Sequence, residues 1–386
     1  MQQQPQQTTT LALFCKVVDN YGDIGICWRF ARQLAHEHAI AVTLWVDDLV
    51  SFRRICPEID PHQDQQTVAG VQVTHWRDQH GTFTAEDIAD IVIEFFGCDI
   101  PPGYIASMAQ REKRPLWFNF EGLSAEEWVE GCHTLPSPHP SYSLTKYFFF
   151  PGFTNKTGGL MVEQDLSVQR QQFLADTEQV ASFFSRIGVT KAEQQQLKVS
   201  LFCYPHAPVA SLLSAWQQSN TPLICLVPEG VATETVTSFL GQAAQVGASA
   251  TRGSLTLRVI PFLPQQDYDR LLWACDVNFV RGEDSFVRAQ WANKPFIWHI
   301  YPQDENLHHV KLKAFLHRYT AKTENLNQLA LMWNEAETAH DQWTEVSRTL
   351  LKELPHITEM CTVWEHEMRK NGDFSTNLLK FAATLV

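Results

Sequence analysis

Two carboxylates, Asp19 and Asp23, bracket an Asn-Tyr-Gly in the stretch VVDNYGDIGICWR at residues 17–29. An apolar run precedes this stretch and a helical pattern follows it, so the pair stands at a strand-to-helix turn. A turn built for a dinucleotide pyrophosphate would carry Gly-x-Gly-x-x-Gly, which is missing here. Carboxylates suit a cation or a proton transfer better than a phosphate. Each also has an ordinary role open to it: Asp23 as N-cap of the helix, and Asp19 as a turn former at a strand end.

A second constellation is VNFVRGEDSFVRAQW at residues 277–291. Val277 and Phe279 alternate as in a strand, Gly282 supplies a turn, and DSFVRAQWA opens a helix. Backbone N–H groups at a helix start attract anions, and Ser285 adds a hydroxyl. Glu283 and Asp284 would repel a diphosphate placed directly beside them. They must point elsewhere, to sugar hydroxyls, to Arg281 or Arg288, or to a cationic acceptor. The capping alternative is equally open, with Asp284 or Ser285 as the cap and Glu283 complementing the helix dipole.

Aromatic residues mark two further strand ends. LFCYP carries Phe202 and Tyr204, and IPFLPQQD carries Phe262. Stacking a flat base needs rings placed this way, although rings at strand ends commonly serve the core. The loop in WHIYPQDENLHHVKL offers Tyr301, Gln303 and Asp304.

These turns need a scaffold, and composition bounds it. The chain has 386 residues, enough for two domains at about 100–200 residues each. Its net charge of −13 gives no basic footprint for nucleic acid. Nine scattered cysteines include no Cys-x-x-Cys, and five of them (Cys15, Cys98, Cys203, Cys225 and Cys275) lie in or beside apolar runs, which favours a reducing compartment. Fifteen histidines show no ligand spacing, so no metal site is indicated. The start, MQQQPQQTTT, reads as a polar tail rather than a signal peptide, and no apolar run reaches the roughly 18 residues of a membrane span. A cytoplasmic protein is expected, without membrane or nucleic-acid partners.

The elements alternate. LALFCKVV, AVTLWVDD, VQVTHW, DIVIEFF and PLWFNFEG read as buried strands of a first parallel sheet. After the first of them Ile24, Cys27, Trp28, Ala31, Leu34 and Ala35 recur at helical spacing, with Arg29, Arg32, Gln33 and His36 on the other face. Residues 130–195, including the aromatic cluster KYFFFPGF, change character and read as the linker region. A second series follows: LKVSLFCY, TPLICLVPEG, LTLRVIPFL, CDVNFVRGED and KPFIWHIYP. The last 60 residues read as helical, with Trp333, Trp343 and Trp364 as packing anchors. The expected fold is α/β, with two Rossmann-like domains facing across a cleft as in GT-B glycosyltransferases. The first covers residues 1–190 joined by the tail 362–386, and the second covers residues 195–361.

Taken together, VVDNYGDIGICWRFARQLA, RGEDSFVRAQWA and PFIWHIYPQDENLHHVKL closely resemble the bacterial protein-arginine rhamnosyltransferases that modify elongation factor P. The resemblance runs through almost the whole chain after the polar tail. It implies an inverting GT-B enzyme, with dTDP-β-L-rhamnose as co-substrate, no cofactor or metal, and elongation factor P as protein substrate. The acceptor would be one arginine of that factor, whose modification relieves ribosome stalling at polyproline. The family's acidic pair falls on Asp19 and Asp23, with Asn20 beside them on the acceptor side, and its third carboxylate falls on Glu283. Donor contacts fall on the second domain: Phe202, Tyr204 and Phe262 around the thymine, Asp284 and Ser285 near ribose and diphosphate, and Arg281, Arg288, Tyr301 and Gln303 in the same group. Two rival readings are a GT-B transferase with a small-molecule or glycan acceptor, and a translation-factor-binding protein without turnover.

Overall fold

The computed structural model describes residues 8–19, 21–77, 81–319, 322–335 and 340–386. The chain divides into two compact units, Met1–Gln164 with Met368–Val386, and Asp165–Glu367. The first holds eight strands: β1 (Thr10–Cys15), β2 (Ala41–Val46), β3 (Gln65–Val68), β4 (Val71–His75), β5 (Ile91–Phe95), β6 (Leu116–Phe120), β7 (Pro136–Pro138) and β8 (Thr145–Phe149). Their order is β3-β4-β2-β1-β5-β6-β8-β7. All pairings are parallel except those of the two edge strands, β3 on β4 and β7 on β8.

Inner strands follow the apolar runs because both faces of a parallel sheet are covered; Leu11, Leu13, Phe14 and Cys15 of β1 are fully buried. The edge strands QQTV and PSP have no such run. Of the cluster KYFFF, expected in the linker region, Lys146 to Phe149 lie in β8. It pairs with β6 from Trp117↔Lys146 to Phe120↔Phe149.

The second unit holds β9 (Leu197–Leu201), β10 (Leu223–Pro228), β11 (Ser249–Arg252), β12 (Leu255–Ile260), β13 (Val277–Arg281) and β14 (Phe296–His299). The order is β11-β12-β10-β9-β13-β14, parallel apart from β11. Carboxyl ends of β9, β13 and β14 are therefore neighbours.

The division falls after residue 164 rather than near 190. Helices Leu166–Ala175 and Thr177–Arg186 group with the second unit, because their side chains bond there. Arg170 pairs with Glu365 at 2.8 Å and also donates to the Trp291 carbonyl. Arg186 pairs with Asp267 at 3.0 Å, and Phe173 packs on Trp273.

The chain rejoins the first unit at Met368, and Phe374 packs against Phe30, Phe120 and Phe149. Burying such a ring contributes about 2–3 kcal/mol. Gln33, expected on the face opposite the apolar stripe of the first helix, is buried and fastens this return: it donates to Asp373 Oδ1 and to the Val162 carbonyl, and accepts from Ser375 Oγ. Arg29 of the same face is also buried. The three tryptophans of the last helices, Trp333, Trp343 and Trp364, are buried as packing anchors.

Burial pushes His133, which accepts the Phe150 N–H at Nδ1, down from 6.5 to about 4. Its folded value lies below its unfolded one, so protons favour the unfolded chain. The stability held at pH 6.5 and above is lost as the pH falls toward 4. His133→Gln, which can keep the acceptor, is expected to lessen the drop in melting temperature between pH 7 and pH 5 by about 2–4 °C. An unchanged drop would contradict this.

Candidate active site

The first candidate turn follows β1. The helix opens at Gly22, with Tyr21 as N-cap and no side-chain capping bond, so the capping role open to Asp23 is not taken up. Asp23 stands in the first helical turn, buried at 6% exposure, and reaches backwards. Its Oδ2 accepts the N–H groups of Val18 at 2.7 Å and Asp19 at 2.8 Å. Asp47, just past β2, accepts the Val17 N–H at 2.9 Å. The turn is thus pinned by carboxylates on both sides.

Gly22 donates its N–H to the Asp19 carbonyl at 2.7 Å, and a Cβ there would lie 2.9 Å from Asp19 Oδ2. Glycine is what lets the Asp19 carboxylate lie against the helix start. Burial pushes the Asp23 carboxyl above its ordinary value; the two N–H groups pull it back, and the charges of Asp19 and Asp47 raise it again. The net result is a buried carboxylate with raised proton affinity, one oxygen fixed by the backbone, which is what a general base requires. Asn20 lies outside the described residues.

The second candidate turn follows β13. Register brings its parts together: Phe279 pairs with Leu201 and Arg281 with His299, so Arg281 ends its strand beside the residues that follow β9. The Arg281 guanidinium lies over two rings, 4.7 Å from the centre of Phe202 and 4.6 Å from that of Tyr204. The place expected for a flat base between these rings holds a flat cation of the protein itself. Phe262 packs 6.4 Å from Phe202, and Tyr301, half exposed, stands edge-on to Tyr204 at 5.5 Å.

Ser285 Oγ accepts the Arg281 N–H at 3.0 Å and donates to the Arg281 carbonyl, closing the turn. The helix Asp284–Gln290 has Glu283 at its N-cap position without a capping bond, so neither capping alternative is realised. Asp284 Oδ2 instead faces Gln265 Nε2 at 3.4 Å. Gln303 is exposed and donates its N–H to His308 Nδ1. Arg288 departs from the expected donor group. It is buried at 3% exposure and held by Asp269 through Nε at 3.1 Å and Nη2 at 2.9 Å, so its charge is compensated inside the unit.

The family model of the elongation factor P (EF-P) rhamnosyltransferase EarP matches residues 11–383. The chain belongs to this family. A protein-arginine rhamnosyltransferase of Pseudomonas putida is 44% identical over 96% of this chain and 98% of its own, and that of Pseudomonas aeruginosa 43% over the same shares. A solved structure described as the basis for EarP-mediated arginine glycosylation of translation elongation factor EF-P shares 30% identity, with a TM-score of 0.68 over 98% of this chain and all of that one. A glycosyltransferase from Rickettsia africae, 9% identical, superposes with a TM-score of 0.54 over 98% of both chains and shares the fold alone. The fold is GT-B, an α/β class with two mainly parallel sheets.

Two residues beside this turn were not named from the sequence: Gln265, inside the stretch IPFLPQQD, and Tyr268, directly after it. Gln265 and Tyr268 open the helix after Phe262; Tyr268 packs edge-on to Phe202 at 5.8 Å, and its buried hydroxyl lies beside Ser285 without meeting hydrogen-bond geometry. The polar pair in PQQDY directly after an aromatic strand end was the available signal. Ser285 now acts on Arg281 through the backbone. Ser285→Ala is expected to cost about 1 kcal/mol of stability and to weaken dTDP binding several-fold, read by calorimetry beside a melting curve. Unchanged dTDP affinity would remove the turn from the nucleotide site that the resemblance implies.

Proposed function

We propose that this chain moves L-rhamnose from dTDP-β-L-rhamnose to a guanidinium nitrogen of one arginine in EF-P, with inversion at the anomeric carbon. The modified factor then relieves stalling at polyproline. Asp23 is the observation that carries the reading. An arginine side chain is protonated at neutral pH, and delocalisation makes its nitrogens poor nucleophiles. Asp19 and Asp23 supply charge-assisted hydrogen bonds that hold the guanidinium and orient one nitrogen. Asp23 Oδ1, without a partner among the described residues, accepts the proton as the nitrogen–carbon bond forms. Asp23 Oδ2 stays on the backbone and keeps the geometry.

The donor belongs to the second unit in this reading. Phe262 and Tyr268 offer ring faces for thymine, with Phe202 behind them. Arg281, already backed by two rings, directs its outward N–H groups to the diphosphate and stabilises the departing dTDP. Arg288 supports this site by fixing the helix rather than by touching the donor. Glu283 orients the reacting groups. Attack from the face opposite the leaving group inverts the β donor to an α product. Among the described residues no helix is long and apolar enough to cross a membrane, which fits a reaction on a cytoplasmic factor.

Incubation with dTDP-β-L-rhamnose and folded EF-P, followed by intact-mass analysis, tests this. The expected result is a gain of one deoxyhexose on EF-P. Transfer to small acceptors with none to EF-P would support the glycan-transferase rival, and tight EF-P binding without any mass gain would support the docking rival.

A further inference from the structure

Around Arg281 the second unit gathers more imidazole than the donor reading uses. His299, the last residue of β14, is buried at 1% exposure and accepts the Tyr204 N–H at Nδ1, 3.2 Å away. That bond leaves the ring's own proton on Nε2. His206 is exposed, its ring 4.6 Å from that of His299 and parallel to that of Tyr204 at 6.0 Å. His308, on the helix Leu307–Arg318, accepts the Gln303 N–H at Nδ1, and His309 packs 4.4 Å from it. The approach to this cluster is strained, since the adjacent non-glycine residues Glu305 and Asn306 both take the left-handed region, at φ 54° and 59°. Strain of that kind collects at ligand sites.

We propose that His206 is a diphosphate-binding residue of the donor site, and that its contact forms only with uptake of a proton. This rests on the donor reading above. His206 faces the rings of Tyr204 and His299 and lies within electrostatic reach of His308, while Arg281 and Tyr301 stand against the same Tyr204 ring. Among the described residues none of these groups is a carboxylate, so a proton on His206 gains no negative partner from them. Burial and these neighbours hold His299 down to about 3, and burial lowers His206 and His308.

A sugar diphosphate brings two negative charges that it keeps throughout the neutral range. Placed on Arg281, it supplies the compensation that the cluster lacks, and His206 is the exposed member able to respond. Binding then transfers one proton from buffer to the His206 ring and changes no bond in the donor. His299, locked as an acceptor, stays neutral and keeps Tyr204 in place.

Calorimetric titration of the full chain with dTDP-β-L-rhamnose, in two buffers of different ionisation heat, counts that proton. Wild type is expected to take up as much as one proton per donor bound. Its affinity is expected to weaken by up to about tenfold per pH unit between about pH 6 and pH 8. His206→Gln, a change at an exposed ring, is expected to bind about tenfold more weakly near pH 6, with no uptake and a flat pH dependence. Wild-type binding without proton exchange would overturn the proposal whether or not the variant folds, and so would full uptake retained in His206→Gln. Absence of donor binding at any pH would overturn the donor reading itself.

Discussion

Asp23→Asn is expected to lower arginine transfer by about 10²–10⁴-fold while the protein stays folded and binds donor as before. The amide has the shape of the carboxyl. Its oxygen can take the place of Oδ2 and keep the N–H groups of Val18 and Asp19, so the turn survives. What is lost is the basic oxygen and its charge. Stability gives a second, independent readout. Burial raises the Asp23 carboxyl, so ionised Asp23 is less favourable in the folded chain than in the unfolded one. A neutral amide removes that penalty, and the melting temperature is expected to hold or rise while activity collapses.

A residue kept only to brace the turn would show a different pattern, with activity and stability both nearly intact, because the amide keeps the brace. The pH profile follows from the same sign: because Asp23 must be ionised to accept a proton, the acid limb of kcat is expected above the ordinary carboxylate range. Transfer by Asp23→Asn at near wild-type rate would reduce Asp23 to a brace.

The second large effect is expected at Arg281. Removing a charged donor to a phosphate costs about 1.5–3 kcal/mol, which is roughly a 10–100-fold loss in affinity. Arg281→Ala is therefore expected to weaken both dTDP and dTDP-β-L-rhamnose by that factor. Arg281→Lys is expected to recover only part of it, because an ammonium restores charge without the planar surface that lies over Phe202 and Tyr204. Equal donor affinity in Arg281→Ala and wild type would take the guanidinium out of the donor site and leave it as packing between two rings.

Why the acidic turn could be read from the chain and the Arg281 clamp could not is a matter of sequence distance. Asp19 and Asp23 lie within one local stretch, between an apolar run and a helical period, so their place follows from nearest neighbours. Phe202, Tyr204 and Arg281 meet only because β9 and β13 are adjacent in a sheet whose order departs from chain order. The burial of Arg288 is of the same kind, since Asp269 reaches it from another helix. The capping alternatives fail for a local reason: both sequences carry the right residue types, but the helices open two residues earlier than a capping geometry at Asp23 or Ser285 would need. Central strands such as LALFC and LICLVP were legible through continuous burial, while β3, β7 and β11 are short antiparallel edges with little apolar content. Residues 166–186 resemble a linker in their polar, Gln-rich composition, and only partners such as Glu365 and Asp267 identify them as part of the second unit.

The central claim is inverting transfer to an arginine nitrogen, and one spectrum addresses both halves of it. EF-P modified by this protein with dTDP-β-L-rhamnose can be digested, and the glycopeptide examined by NMR for the linkage atom and the anomeric configuration. The account predicts rhamnose in the α configuration on a guanidinium nitrogen of a single arginine. A β linkage, or a sugar attached through a hydroxyl oxygen, would contradict it.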